Sequence, residues 1–231
     1  MKNIDLINFL KSCTQNFTPV IDKSFVETDY FPIDLSAANP SLKHINFNSA
    51  DAFEKYINNY LQTNNSKVAY GGYLEHRAIY QRSTHFNQQN PETERNIHLG
   101  IDLWVGAGTE VLAILDGEIH SFNDNANFGD YGPTIILKHT LESITFYSLY
   151  GHLSRESLTS IQPGQKIKQG EVIAQLGEAE VNGDYAPHLH FQIIKEIGNF
   201  LGDYPGVCSK KEVSSFSENC PDPNLLLKIK T

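Results

Sequence analysis

Two short stretches carry the side chains that chemistry most often uses. In "APHLHFQI", residues 186–193, two histidines stand one position apart within an apolar run. A strand puts residues i and i+2 on one face, so His188 and His190 would point together while Leu189 and Phe191 point into a core. A solvent-facing polar pair would satisfy that pattern, and so would a metal site with further ligands elsewhere. "IHLGIDLW", residues 97–104, offers such ligands: read as a strand, it sets His98, Gly100 and Asp102 on one face, with a side-chain-free position between two donors. The i, i+4 spacing also suits a helix, but the β-branched residues and the glycine favour a strand.

These motifs sit in a chain of two textures. Residues 1–66 read as a helical extension. Ile4, Ile7 and Leu10 fit a short helix. A longer one runs through "NSADAFEKYINNYLQTNNS", where Phe53, Tyr56, Ile57, Tyr60 and Leu61 recur at helical spacing after an Asn48 or Ser49 cap. Residues 67–231 read as short strands bounded by Gly, Pro, Asn and Asp, without a long amphipathic helix. The expected fold is mainly β, an antiparallel β-sandwich or barrel-like domain, with a loop-rich tail covering one sheet edge.

"HLGID", "YGHLS" and "APHLHFQI", in that order among glycine-rich strands, resemble the lysostaphin-type zinc peptidases, the LytM-like or glycyl-glycine family, over about residues 70–195. The resemblance implies a compact, mostly antiparallel β fold with a groove over one sheet. It makes His98, Asp102 and His190 the metal ligands and His152 and His188 the catalytic pair. All five motif positions are filled, whereas regulatory relatives usually lack some. Two imidazoles and a carboxylate leave zinc a fourth position for water, the arrangement of a catalytic site. The two remaining histidines suit proton transfer and oxyanion stabilisation. The resemblance thus implies a Zn2+-dependent metallopeptidase acting on a peptide or muropeptide. A metal-retaining binding or regulatory module of the same fold is the alternative.

Composition narrows the partners. Of 231 residues, 40% are hydrophobic, enough for a sizeable core, and the net charge of −9 with no basic cluster argues against nucleic acid. The first residues, "MKNIDLINFLKSCTQNF", lack the apolar run of a signal peptide, and no stretch is long enough to insert in a membrane, so a cytoplasmic location is expected. Three cysteines, Cys13, Cys208 and Cys220, form no C-x-x-C pair and read as free thiols. Among secondary candidates, Glu75 with Arg77 or Arg95 suggests a structural ion pair. Tyr147 and Tyr150 are either phenol donors or core aromatics. Asn127, Asp130, Tyr131, Asp184 and Tyr185 stand at groove-edge positions in the resemblance. His139 reads as a strand end, and His44, His76, His85 and His120 as surface or loop residues.

Overall fold

The computed structural model describes residues 6–83, 86, 90, 92–141 and 144–230; Ile4 and His85 lie outside the described residues. Numbered in chain order, the strands are β1 (Tyr30–Pro32), β2 (Val68–Gly71), β3 (Arg95–His98), β4 (Ile101–Trp104), β5 (Glu110–Leu112), β6 (Gly117–Asn125), β7 (Gly132–Leu141), β8 (Ile144–Gly151), β9 (Lys166–Ile167), β10 (Val172–Gln175), β11 (His188–Ile194) and β12 (Val207–Ser209). The helices are α1 (Leu6–Cys13), α2 (Ala50–Thr63), α3 (Val213–Asn219) and α4 (Asn224–Leu227).

Eight strands form one sheet in the order β1-β2-β4-β11-β8-β7-β6-β9, while β5 pairs with β10 and β3 with β12. Every pairing is antiparallel except β1 with β2. The fold is therefore mainly β. The large sheet ends at β1 and β9 without closing on itself, so it is an open sheet and no closed barrel forms among the described residues.

β11 lies between β4 and β8, with His190 opposite Asp102 on one side and Gly151 on the other. All seven of its residues are buried, so its histidine face is covered and the solvent-facing reading of His-x-His does not hold. Leu189, Phe191 and Ile193 enter the main core with Ile101, Leu103 and Tyr150. The opposite face of the strand carries His188, His190 and Gln192.

The segment before residue 67 contributes more than helices, because β1 extends the main sheet beside β2. Ser49 caps α2 by accepting a hydrogen bond from the Ala52 N–H at 3.2 Å. Phe53, Ile57 and Leu61 then face a second apolar cluster that also holds Leu35, Ile79, Trp104 and Tyr185. Phe53 meets Trp104 edge-on, with ring centroids 5.1 Å apart. In the tail, β12 pairs with β3, α4 packs on α1, and Cys208 and Cys220 are buried free thiols.

His139 is buried within β7. Its Nδ1 donates to Asp116 O at 2.9 Å, and its Nε2 lies 2.7 Å from Ser148 Oγ. Burial pushes its pKa from 6.5 down to about 4. Between those values the unfolded chain binds a proton that the folded ring refuses, so stability is complete above about 6.5 and falls as pH drops towards 4. The loss from this residue is roughly 3 kcal/mol. His139→Asn is expected to flatten the dependence of unfolding free energy on pH in that window, measured by urea denaturation, relative to the unaltered protein.

Candidate metal centre

Between β3 and β4 the chain breaks at Leu99 and Gly100, so "IHLGIDLW" is two strands in two sheets and not one. His98 ends β3, which is held by β12, while Asp102 lies in the main sheet. The vacancy at Gly100 also serves differently from the sequence reading. A Cβ built there would stand 2.6 Å from Cε1 and 2.7 Å from Nε2 of His190, so the missing side chain admits the His190 ring.

The bend brings three donors to one point. His98 Nε2 lies 2.8 Å from His190 Nδ1, and each of these nitrogens lies 3.3 Å from Asp102 Oδ1. The other nitrogen of each ring is engaged: His98 Nδ1 donates to Gly72 O at 3.0 Å, and His190 Nε2 donates to Gln192 Oε1 at 2.9 Å. With those hydrogens committed, the nitrogens that face each other in the neutral rings both carry bare lone pairs. Asp102 Oδ1 adds a third acceptor, buried and without a hydrogen-bond partner.

Three acceptors facing one another repel unless a cation lies among them. A tetrahedral ion with bonds of about 2.0–2.1 Å separates its ligand atoms by roughly 3.3–3.4 Å, and two of the three separations match. The donor set therefore fits a small divalent metal.

The remaining oxygen of the carboxylate is occupied. Asp102 Oδ2 accepts from Arg77 Nη1, and Arg77 Nε donates to Glu75 Oε2 at 2.6 Å. Burial opposes ionisation of Asp102, but its interactions with His98 and with the Arg77 guanidinium outweigh it and hold the carboxyl well below its ordinary pKa. The expected Glu75–Arg77 ion pair is present, and through Arg77 it orients Asp102. Glu75 Oε1 accepts from the Leu35 N–H at 3.0 Å, so the N-terminal segment also supports this carboxylate.

His188 and His152 stand beside the cluster. His188 Nε2 lies 3.8 Å from Asp102 Oδ1, and the two imidazole centroids are 4.2 Å apart. Their Nδ1 atoms donate to Ala186 O and Asn182 O, each at 2.8 Å, leaving both Nε2 atoms free of hydrogen in the neutral rings. Trp104 stacks on His188 with centroids 3.9 Å apart. His152 adopts a left-handed backbone with φ 63°, held by hydrogen bonds to Tyr131 O and from Gly177 N. A non-glycine residue pays for that conformation with about 1–3 kcal/mol of strain, which here aims the ring. Burial lowers the His98 and His188 pKa values to about 4, and burial together with His188 holds that of His152 well below the ordinary imidazole value. No side chain of the five is more than 5% exposed.

Other sequence candidates separate clearly. Tyr131 and Tyr185 line the same cavity, Tyr131 with its hydroxyl 3.4 Å from His190 Nε2. Tyr150 is instead a core aromatic whose hydroxyl accepts from the Ile114 N–H, and Tyr147 packs against His120. His44 and His76 are exposed, and His120 is half-buried in β6. Sequence reasoning missed Gln192, Trp104 and the carbonyls that orient the rings. Gln192 had a signal, since it continues the His188, His190 face by two more residues; a backbone carbonyl has none.

Residues 96–200 match the model of peptidase family M23. The chain is 34% identical over 107 residues to an uncharacterized metalloprotease of Haemophilus influenzae, covering 46% of this chain and 20% of that protein. It is 32% identical over 95 residues to the glycyl-glycine endopeptidase ALE-1 of Staphylococcus capitis, covering 41% of this chain and 24% of that one. The match thus spans about a quarter or less of these two relatives. Among solved structures, the catalytic domain of lysostaphin from Staphylococcus simulans is similar at 24% identity and TM-score 0.37, over 53% of this chain and 80% of that one. Over residues 96–200 the chain is thus similar to peptidase family M23 and to a relative named as a metalloprotease. No helix among the described residues is long and apolar enough to cross a membrane.

Gln192 presents its oxygen to His190 because its amide nitrogen donates to Pro205 O and Cys220 Sγ, at 3.1 and 3.3 Å. Gln192→Leu is expected to weaken metal binding about 10- to 100-fold. Competition with a chromogenic chelator for zinc would measure it, with circular dichroism confirming the fold.

Proposed function

We propose that the chain is a zinc-dependent metallopeptidase that hydrolyses a peptide amide bond, with His98, Asp102 and His190 as metal ligands and His152 and His188 as the catalytic imidazoles. The observation that carries this reading is the convergence of three unprotonated acceptors, one of them an orphaned carboxylate oxygen, beside two more imidazoles with bare Nε2 atoms. Bound zinc supplies Lewis acidity that polarises a carbonyl and makes hydroxide available near neutral pH.

The chain's own groups handle the protons. His188 Nε2, nearest the cluster, accepts the proton of the attacking water. His152, with its Nε2 also bare, is the alternative acceptor; the ring that takes the proton donates to the oxygen that gains charge and then returns the proton to the departing amine. Burial keeps both rings reluctant to hold that proton, which favours handing it on. The water ends as hydroxyl on the new acid and hydrogen on the new amine, so the reaction balances. Arg77 and Gln192 hold the ligands still while the backbone carbonyls of Ala186 and Asn182 fix the tautomers of His188 and His152.

The substrate is proposed to be a peptide or muropeptide, glycine-containing as the name of the ALE-1 relative suggests, and met in the cytoplasm. A metal-retaining binding or regulatory module remains the second reading, favoured by the burial of all five side chains.

Glycine-rich and muropeptide amides offered to the zinc-loaded protein discriminate the two. The unaltered protein is expected to turn over at least one. His188→Ala is expected to keep stoichiometric zinc and lose about 10²- to 10⁴-fold in kcat. Asp102→Ala is expected to lose both zinc and activity. Turnover unaffected by either change, or absent from the whole panel, would overturn the enzyme reading.

A further inference from the structure

The metal cluster lines one wall of a cavity of about 230 Å³. Its lining changes character along its length. On the His190 side stand Tyr131, its neighbour Asp130, and Arg95 and Asp203, both close enough to Tyr131 to act on it electrostatically. Around Trp104, which stacks on His188, the wall is apolar: Leu35, Phe47, Phe53, Ile79, Trp104 and Tyr185. Five of these six belong to the second apolar cluster, and Phe47 packs against it. Four of them precede residue 96, outside the segment that matches the family model.

We propose that this compartment is a specificity pocket for a large apolar side chain, aromatic or branched aliphatic, on the residue next to the scissile amide; the proposal rests on the metallopeptidase reading above. An apolar cavity of about 150 Å³ already accepts a benzene ring, and the whole cavity, polar part included, exceeds that at about 230 Å³. Continuity with the cluster puts that side chain within one residue of the reacting carbonyl. None of the six residues is charged, and the nearby guanidinium groups are engaged, Arg77 by Asp102 and Glu75 and Arg82 by Phe47 O and the Tyr185 ring, so a lysine side chain would be desolvated there beside cations and without an acceptor. Glycine would leave the compartment empty and forgo its binding free energy. Glycine on the other side of the bond remains compatible.

Trp104 is the only tryptophan in the chain, so its fluorescence reports occupancy without any turnover. The zinc-loaded protein is titrated with the N-acetyl amides of phenylalanine, leucine, glycine and lysine. Matched peptides that vary only the residues flanking one amide are assayed for hydrolysis in parallel. The expected result is a saturable fluorescence change with phenylalanine and leucine alone, and kcat/KM at least about tenfold higher for apolar than for all-glycine peptides. Phe47→Ala is expected to weaken phenylalanine-amide binding at least fivefold and to lower the kcat/KM preference for apolar over all-glycine peptides. Leu35→Trp, which fills the compartment, is expected to remove the apolar preference. Saturable apolar binding without hydrolysis of any peptide would sink the enzyme reading and leave the pocket standing. Hydrolysis of all-glycine peptides at equal or higher efficiency, with no selective fluorescence change, would overturn the pocket.

Discussion

Mutual repulsion among His98 Nε2, His190 Nδ1 and Asp102 Oδ1 is the constraint around which this molecule is organised. Bare acceptors within 3.3 Å of one another, shut away from water, are a state that protein groups do not reach by themselves. They are held there from behind. Gly72 O and Gln192 Oε1 each take the hydrogen from the far side of a ring, and Arg77 takes the outer oxygen of the carboxylate. Gly72 and Arg77 lie in one segment and Gln192 in another more than a hundred residues on, so the site is maintained by distant parts of the fold.

That dependence explains the segments outside the family match. Gly72, Glu75 and Arg77 precede it, and Leu35 binds Glu75, so the N-terminal part reaches the carboxylate through two links. Pro205 and Cys220 follow it and orient Gln192. The buried Arg77 makes the arrangement sensitive to loss of either end. Removing one member of such a charged set leaves another buried without compensation, at a cost of about 3–5 kcal/mol. Helix α2 acts on the site by packing, since Phe53 presses Trp104 and Trp104 presses His188.

Much of this was legible in the residues. The strand period made His188 and His190 neighbours, and His188–Ile194 is indeed a buried strand. The 3.6-residue recurrence of Phe53, Ile57 and Leu61 marked α2, with its Ser49 cap. The open sheet was not separable from a barrel, because closure depends on how strands at the two ends meet and no local pattern encodes that. The break at Leu99 and Gly100 was hidden for a related reason. The alternation of "IHLGIDLW" suits one strand or two, and only pairing with β12 draws His98 out of line.

What the chain determined locally was the chemistry available: which side chains carry lone pairs and which share a face of β11. Local rules suffice there because side-chain identity and strand geometry are short-range properties. Tertiary structure decided the rest. It chose which nitrogen of each imidazole is bare, since that depends on carbonyls up to 30 residues away. It also walled the cavity with residues far upstream of the cluster, because burial is a property of what the whole chain packs against and not of any stretch within it.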